Sequence, residues 1–335
     1  MIIPFFLRNR GCPHRCRFCN QEISGGADPR KLGAGYFHEK VRAFLTSAAR
    51  GKKPGQPVEI AFYGGNFTGL TPEEQEDLLH MARRHMENGT VVGIRVSTRP
   101  DCLRDKDVER LAAFGVRTVE IGAQSLVDGV LAASGRGHTA RDVVAAVAML
   151  KHRGLEVILH LMAGLPGDDG SAFLDTVSRT TALGLRGVRI HPTLVLAGSP
   201  LAEDFLQGRY VPLTLPEAVD LCRQAWDILE KARIAIIRMG LQATDILSGP
   251  GAVLGGPYHP AFGALVASAR WRERTLALIG GADLEGRKAV FFVPPGEESS
   301  FRGHGNCNIK FLRNHCRLAT LEIKTAVQDF HYLCG

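Results

Sequence analysis

The sequence predicts an α/β fold, in which a partial (β/α)6 TIM-like barrel is followed by a small α/β extension. Three observations support this prediction: six short apolar runs suit strands, amphipathic stretches separate them, and the connections are short. Repeated strand–helix units of this kind imply parallel strands with right-handed crossovers. The 335 residues, of which 45% are hydrophobic, are enough for one barrel-sized core and a smaller domain.

The predicted strands and helices alternate along the first part of the chain. Thr71 and Pro72 predict a capped helix start before an acidic turn, and Gly115 and Gly154 follow helical runs, where a left-handed cap favours glycine. The loops after the strands carry the chemistry in barrels of this kind. The predicted strands are residues 2–7, 58–63, 91–97, 118–121, 157–162 and 187–192, and the helices are 38–50, 72–87, 105–114, 139–153 and 171–183.

The pattern becomes irregular after residue 192. Residues 193–214 are predicted to be a long connection, and Thr214 with Pro216 opens a predicted helix over 215–232. We therefore expect a core domain at residues 1–234 and a small α/β domain at 235–335. The elements predicted in the latter are a strand at 234–239, a glycine- and proline-rich stretch at 248–260, a helix at 261–274, a strand at 289–293 and a basic helix at 306–317.

Charge and composition narrow the class of protein. The formal net charge of +7 is compatible with an anionic partner such as RNA, and equally with an ordinary basic enzyme. The opening apolar run ends at Leu7, which is too short for a secretory signal, and no run reaches the length of a membrane span. We therefore expect a cytoplasmic protein without a membrane partner.

The cysteines are the most informative residues. Cys12, Cys16 and Cys19 form a C-x3-C-x2-C loop directly after the first predicted strand. Thiolates at this spacing are soft ligands for an iron–sulfur cluster or for zinc. A structural zinc site requires four protein ligands, and only His14 is available nearby as the fourth. The spacing therefore favours a cluster with one open iron, and zinc is the alternative.

With an aromatic residue, Phe18, before the last cysteine, this loop resembles the hallmark of the radical S-adenosylmethionine (radical SAM) superfamily. The chain is most similar to the radical domain of the Elongator catalytic subunit, in the form of bacterial members without its acetyltransferase domain. The coproporphyrinogen oxidases are more distant. The resemblance extends from about residue 3 to 215. It rests on segments at successive strand ends, namely 63–69, 96–101, 119–125, 135–139, 160–167 and 190–195.

This resemblance implies a [4Fe-4S] cluster on the three cysteines, S-adenosylmethionine as cofactor, and an electron donor such as flavodoxin or ferredoxin. Arg136 is expected near the carboxylate of the cofactor, although a surface arginine is the alternative. Asn66 replaces the glutamate, serine or threonine of relatives and can still accept a hydrogen bond from the methionyl ammonium. The cofactor-binding residues that the resemblance implies are Phe18, Gly64, Gly65, Asn66, Ser97, Gln124, Arg136, His160 and Met162.

Some residues keep two interpretations. His160 and His191 lie in apolar strands and are either site residues or core histidines, and Glu120 faces either the ligand or a helix. Tyr258 and His259 are candidate donors of a proton or hydrogen atom, but a loop that buries an aromatic explains them as well. Cys307 and Cys316, near His304 and His315, would be ordinary cysteines or a second metal site.

The predicted function is radical chemistry on RNA, specifically a tRNA. Its basis is the resemblance, the net charge, and basic runs at 269–274 and at Arg302, Lys310, Arg313 and Arg317. Residues 235–335 are too short for the acetyltransferase domain of the Elongator subunit, so the same modification is not predicted. One alternative is a small-molecule or haem-related radical enzyme, and another is a zinc-stabilised RNA-binding protein without radical chemistry.

Overall fold

A computed structural model describes residues 1–24, 32–49, 56–326 and 330–334. Within these ranges the strands β1 to β12 are, in order, Ile2–Phe6, Glu59–Tyr63, Gly93–Thr98, Val116–Gln124, Glu156–Ala163, Gly187–Pro192, Val195–Leu196, Ala235–Met239, Val253–Gly255, Lys288–Val293, Thr320–Thr325 and His331–Cys334. The helices α1 to α12 are Gln21–Ser24, Ala34–Ala49, Pro72–Glu87, Asp105–Ala113, Asp128–Ala133, Ala140–His152, Ser171–Thr180, Pro200–Leu206, Leu215–Lys231, Phe262–Ile279, Glu298–Arg302 and Cys307–His315.

The main sheet confirms the predicted partial barrel. Its strand order is β1-β2-β3-β4-β5-β6-β8, and every pairing in it is parallel. The sheet has seven strands because Ala235–Met239 adds to β6. The domain boundary near residue 235 stays a prediction. It would separate this last strand from the sheet to which it is hydrogen-bonded.

Burial alternates along the barrel strands. In β5, Leu159 and Leu161 are completely buried under the surrounding helices, whereas His160 and Met162 are half-buried on the opposite face. In β6, Val188 and Ile190 are buried and Arg189 and His191 are half-buried. Because successive side chains of a strand point to opposite faces, the apolar face packs under the helices and the polar face lines the barrel interior.

The helix boundaries follow the predicted signals. The Thr71 hydroxyl accepts a hydrogen bond from the amide of Glu74, and the Glu74 carboxylate accepts one from the amide of Thr71. This capping box fixes the start of α3. Gly115 and Gly154 have φ angles of +79° and +74°, as the cap prediction requires. The predicted end of the second helix, residue 50, lies outside the described residues.

The connection at 193–214 is more structured than the sequence predicts. It contains β7 and α8, and Ser199 caps the helix by accepting from the amide of Ala202. β7 pairs with β9 in an antiparallel manner and thereby brings residues 253–259 beside the C-terminal end of β6. A pair of two- and three-residue strands leaves no clear periodicity in the sequence.

The C-terminal part forms a second, mixed sheet in the order β11-β10-β12. Its core packs α10, α11 and α12 against β10 through Trp271, Phe291, Phe301 and Leu312. The predicted small α/β extension is confirmed. No helix in the described ranges combines the length and apolar character that crossing a membrane requires.

Candidate functional site

The cysteine loop, residues 11–20, follows β1 at the C-terminal edge of the sheet. Cys16 is buried, Cys12 and Cys19 are half-buried, and a turn joins the amide of Cys19 to the carbonyl of Cys16 at 3.1 Å. Burial raises the pKa of Cys12, and the neighbouring Cys16 raises it further. The same two causes raise the pKa of Cys19 to about 11. The three thiols are therefore within electrostatic reach of one another. In the part of the chain that the structure describes, no three His, Cys, Asp or Glu side chains are arranged to hold a single metal ion.

The glycine pair after β2 packs against the cysteine loop. Gly65 has a φ of +60°, and a Cβ there would lie 2.5 Å from the carbonyl oxygens of Leu7 and Arg10. Its amide donates to Oε1 of Gln21 at 2.9 Å. Gly64 has a φ of +67°, but the nearest atom to its Cβ position is 3.6 Å away. Close approach of backbone to backbone explains Gly65.

Asn66 joins three segments of the site. Its side chain is fully buried, and its Nδ2 donates to the carbonyl of Gly11 at 2.8 Å. Its Oδ1 accepts from Thr98 Oγ1 at 2.7 Å and from the amide of Arg99 at 3.0 Å. This oxygen was expected to accept from the cofactor's ammonium, and in the structure it already accepts two hydrogen bonds. Asn66 holds the cysteine loop to the end of β3.

Two arginines converge on Cys16. Arg136 Nη1 donates to Cys16 Sγ at 3.0 Å, and its Nη2 donates to the carbonyl of Gly122. Arg99 Nη1 lies 3.9 Å from the same sulfur and pairs with Asp101 at 2.9 Å. Arg99 also donates to the carbonyl of Arg136. Only 5% of Arg136 is exposed, so it is not the surface arginine that the sequence left as an alternative.

Glu120 is the centre of a polar cluster inside the barrel and is completely buried. Its Oε1 accepts from Tyr63 at 2.8 Å and from Arg95 at 3.0 Å. Its Oε2 lies 2.6 Å from His160 Nε2 and 2.8 Å from Arg189 Nε. Burial alone would raise the pKa of Glu120, but the hydrogen bonds and charges of His160 and Arg189 hold it well below its usual range. Glu120 therefore points inward, and it is a buried carboxylate balanced by cations.

His191 follows Arg189 as the next residue of β6 on the polar face of the sheet. Its ring centroid is 5.8 Å from that of His160, and Met162 is its register partner in β5. Burial, followed by the nearby charges of His160 and Arg189, lowers the pKa of His191 to about 3. Its Nδ1 is buried without a hydrogen-bond partner among the described residues. His191 is therefore neutral and carries an unused polar atom inside the barrel.

The remaining predicted cofactor residues are at the strand ends. Ser97 is half-buried in β3, and Gln124, with a φ of +66°, ends β4. A Cβ on Gly122 would lie 3.1 Å from Gln124 Nε2 and 3.4 Å from Arg136 Nη2, so these two side chains share one space. Phe18 packs against an apolar cluster that contains Val195, Leu201, Ala202, Phe205 and Tyr210, and its role at the cofactor stays a prediction.

The loop candidates of the C-terminal part have local partners. Tyr258 packs in an apolar cluster near β6, and its hydroxyl is 2.7 Å from Ser248 Oγ. His259 Nδ1 accepts from the amide of Ala261 at 3.0 Å. Cys307 is exposed, and Cys316 packs at the edge of the second core. Roles in hydrogen transfer or in a second metal site stay predictions for these residues.

Sequence reasoning missed several site residues. Tyr63 and Arg99 lie inside matched motifs but were given no role, and Arg95 and Arg189 were not considered. A usable signal existed, because an arginine within an otherwise apolar buried strand requires a partner carboxylate. Glu120, on β4, is that partner.

The chain matches two protein-family models. The model of the radical SAM superfamily matches residues 7–179, and the model of the radical SAM C-terminal domain matches residues 185–272. The second match crosses the predicted boundary near residue 235.

Among curated proteins, the tRNA uridine(34) acetyltransferase of Methanocaldococcus jannaschii is 26% identical over 71% of this chain and 51% of that protein. Elongator complex protein 3 of Saccharomyces cerevisiae is 30% identical over 49% of this chain and 33% of that protein. The chain thus spans about half the length of the first of these relatives, and less of the second. A solved structure of archaeal Methanocaldococcus infernus Elp3 with an N-terminal deletion has a TM-score of 0.61, with 23% identity over 71% of this chain and 59% of that chain, which shows a shared fold.

Proposed function

The chain belongs to the radical SAM superfamily, and from that premise we propose that it binds a [4Fe-4S] cluster through Cys12, Cys16 and Cys19 and cleaves S-adenosylmethionine. The observation that carries the proposal is the buried Arg136, whose guanidinium donates to Cys16 Sγ at 3.0 Å. A fixed N–H donor aimed at a thiol sulfur suits a thiolate that ligates iron, because hydrogen bonds to cluster sulfurs tune the cluster's potential.

The donor set fits such a group. Three soft thiols lie on one loop, and thiolate is the ligand that iron–sulfur clusters use. Arg136 Nε is buried and has no hydrogen-bond partner among the described residues, so an N–H donor is left over beside the cysteines. When bound, the cluster supplies one electron that cleaves S-adenosylmethionine to methionine and a 5′-deoxyadenosyl radical, which takes a hydrogen atom from the substrate.

The chain's own residues would bind and orient the cofactor. Arg136 has five donor hydrogens and uses one on each Nη group in the structure, so Nε–H remains for the carboxylate. Gly64, whose surroundings leave room above its backbone, would receive the methionyl ammonium. The inward side chains of the strand ends would surround the other polar atoms, and these are Ser97, Gln124, His160 and Met162.

The substrate class that we propose is RNA, and specifically a tRNA. The relatives from Methanocaldococcus jannaschii and Methanocaldococcus infernus carry a name that refers to tRNA uridine(34), and the net charge of +7 suits a polyanion. The chain spans about half of those proteins, so the modification that they carry out is not transferred with the substrate class. A small acidic protein such as flavodoxin or ferredoxin would supply the electron.

The cofactor proposal is tested on protein purified without oxygen. We expect about four irons and four sulfides per chain, and 5′-deoxyadenosine plus methionine after dithionite and S-adenosylmethionine are added. Triple alanine replacement of Cys12, Cys16 and Cys19 should remove both. Its control replaces Cys307, Cys316 and Cys334, which lie in the C-terminal extension, and should keep both. Stoichiometric zinc without iron in the native protein would refute the proposal.

The substrate proposal is tested in cells. Modified nucleosides of bulk tRNA are compared between cells with the native chain and cells with the triple cysteine variant, and a nucleoside that is lost in the variant is the expected result. Unchanged nucleosides, together with deoxyadenosine formation that a porphyrin or another small metabolite stimulates, would replace RNA by a small-molecule substrate.

A further inference from the structure

We propose that one face of the C-terminal extension binds a single-stranded part of the RNA substrate by stacking a base and pairing with phosphates. This inference rests on the proposed RNA substrate and adds the surface that recognises it. This stacking face consists of residues from α10 and α12, namely Arg272, Lys310, Phe311, Asn314 and His315.

The first observation is charge without compensation. The sequence has no Asp or Glu from Ser299 to Leu321, a stretch that contains four Arg or Lys residues. Arg317 is neutralised by Glu285 at 2.9 Å. Lys310 and Arg272 have no ion pair within the described part of the chain, and Lys310 is exposed. Glu273 is the acidic neighbour of Arg272, so the net charge of the face is positive but small.

The second observation is an ordered stack of flat groups. The guanidinium carbon of Arg272 lies 5.1 Å from the ring centroid of Phe311. The rings of Phe311 and His315 are 5.2 Å apart with an interplanar angle of 12°. Three planar side chains from two helices are thus arranged together, and His315 is the exposed one of the two rings. A solvated basic helix needs no such alignment, whereas an exposed flat ring offers a surface on which a base stacks.

The third observation is that the stack is held rigidly. Asn308, one helical turn before Phe311 on α12, is buried and donates to the carbonyls of Ser268 at 2.8 Å and Phe301 at 3.0 Å. Leu312 is completely buried in the second core. α12 is therefore fixed against α10, and the stacked groups lose little freedom when a ligand binds.

RNA fits this face better than an acidic protein does. An acidic electron donor requires cations at its contact surface but no stacked rings. The stack contains one cation and an exposed imidazole, and Lys310 and Asn314 lie one turn apart beside the stack. Together these groups offer a base face, a phosphate contact and an amide. The charges in the sequence alone do not distinguish these partners, because only the folded helices align the rings.

The test measures RNA affinity on the full-length, cluster-loaded protein by fluorescence anisotropy. The probes are a labelled single-stranded RNA of about 15 nucleotides, the upper range of a single binding surface, and bulk tRNA. The test variant combines Arg272→Gln, Lys310→Gln and His315→Ala. The control combines Arg84→Gln, Lys106→Gln and His152→Ala, which removes the same residue types from exposed positions on other helices.

We expect the test variant to weaken binding of the single-stranded RNA at least tenfold, which corresponds to one lost base stack of about 1.4 kcal/mol. The slope of log affinity against log salt should fall by about 0.7 for each lost phosphate contact. The control variant should stay within about twofold of the native protein, since distant surface changes rarely exceed about 0.5 kcal/mol. Single His315→Ala, which leaves the formal charge unchanged, should weaken binding without a change in slope.

The other outcomes are distinct. Equal RNA affinity in native and test proteins would overturn the stacking face and leave the proposed substrate standing. Equal RNA affinity with slower reduction by flavodoxin or ferredoxin in the test variant would assign the face to an acidic protein instead. No RNA binding by the native protein at low salt, while 5′-deoxyadenosine still forms, would overturn both the face and the RNA substrate but not the cofactor chemistry.

Discussion

Arg136 Nη1 lies 3.0 Å from Cys16 Sγ, and both side chains are buried. The two residues are far apart in the sequence and meet because the loop after α5 returns to the cysteine loop, where the amide of Arg17 donates to the carbonyl of Ser134 at 3.1 Å. Under the proposed function, a cation placed in this way would act on the ligand sulfur and on the cofactor carboxylate together.

The first prediction concerns Arg136. Arg136→Ala should weaken binding of S-adenosylmethionine by about 1.5–3 kcal/mol, the value of a lost charge-assisted hydrogen bond. Equilibrium dialysis against the cluster-loaded protein measures this change. Arg141→Ala, an exposed arginine at the start of α6, is the control and should bind normally. Unchanged affinity in Arg136→Ala would remove this residue from the cofactor site.

The second prediction concerns Arg99, whose Nη1 is 3.9 Å from Cys16 Sγ. A positive group near a cluster ligand stabilises the more negative, reduced state. Arg99→Gln should therefore lower the midpoint potential, by about 20–65 mV if it removes about 0.5–1.5 kcal/mol. A redox titration followed by electron paramagnetic resonance measures the shift. Arg99→Lys, which keeps the charge, should shift the potential less, and equal shifts in the two variants would contradict a charge effect.

The periodicity of the sequence was sufficient to predict the barrel. The strands over 2–7 and 187–192 agree with β1 and β6 to within one residue, because apolar runs of that length between caps leave few alternatives. The number of barrel strands was not predictable in the same way. Whether Ala235–Met239 pairs with β6 depends on tertiary contacts, and all five of its residues are exposed or half-buried.

The polar contacts inside the barrel were also not predictable from the sequence alone. Sequence position identified His160 as a strand-end residue, but Glu120 was equally compatible with either face. Its direction follows from the register of β4 with its neighbours, which places it opposite Ser97 and Ile158. The pairing of Glu120 with Arg95 and Arg189 depends on that register, and single-strand patterns do not contain it.

The third prediction is a large loss of stability in Glu120→Gln. The change leaves Arg95 and Arg189 without their buried carboxylate, and removal of one partner from a buried ion pair costs about 3–5 kcal/mol. Urea unfolding at neutral pH measures it. Glu87→Gln is the control, because both partners of its pair with Arg83 are exposed and the pair is worth about 1 kcal/mol or less. Equal unfolding midpoints in the two variants would contradict a buried charged state for Glu120.

The sign of the acid response of Glu120 follows from its lowered pKa. The stabilisation that ionised Glu120 adds to the folded protein is complete above the pKa that Glu120 has in the unfolded chain. It disappears as the pH falls through the lower pKa of Glu120 in the folded protein. The stability difference between native protein and Glu120→Gln should therefore shrink in acid.

The fourth prediction concerns His191, whose pKa is lowered to about 3 by burial and by its charged neighbours. Below about pH 6.5 the unfolded chain takes up a proton that the folded protein excludes, so stability falls as the pH is lowered toward 3. Between pH 7 and pH 5, His191 should lower the free energy of unfolding by about 1–2 kcal/mol. His191→Gln should reduce the loss by that amount, whereas His152→Gln, at an exposed position, should leave it unchanged. Urea titrations at both pH values measure the difference, and identical pH dependence in native protein and His191→Gln would contradict a neutral buried imidazole.

The fifth prediction compares the two glycines after β2. Both have positive φ angles, so alanine at either position costs about 1–2 kcal/mol of backbone strain. Gly65→Ala should cost clearly more, because its Cβ would lie 2.5 Å from two carbonyl oxygens, those of Leu7 and Arg10, whereas the Cβ of Gly64→Ala has no neighbour closer than 3.6 Å.

Moving those carbonyls displaces the start of the cysteine loop, so Gly65→Ala should also hold less iron after anaerobic reconstitution. Gly64→Ala should keep its iron and instead bind S-adenosylmethionine more weakly, since its new methyl group would occupy the space proposed for the methionyl ammonium. Thermal unfolding, iron analysis and equilibrium dialysis on both variants separate the two roles. Equal iron content in the two proteins would show that Gly65 is not needed to position the cysteine loop.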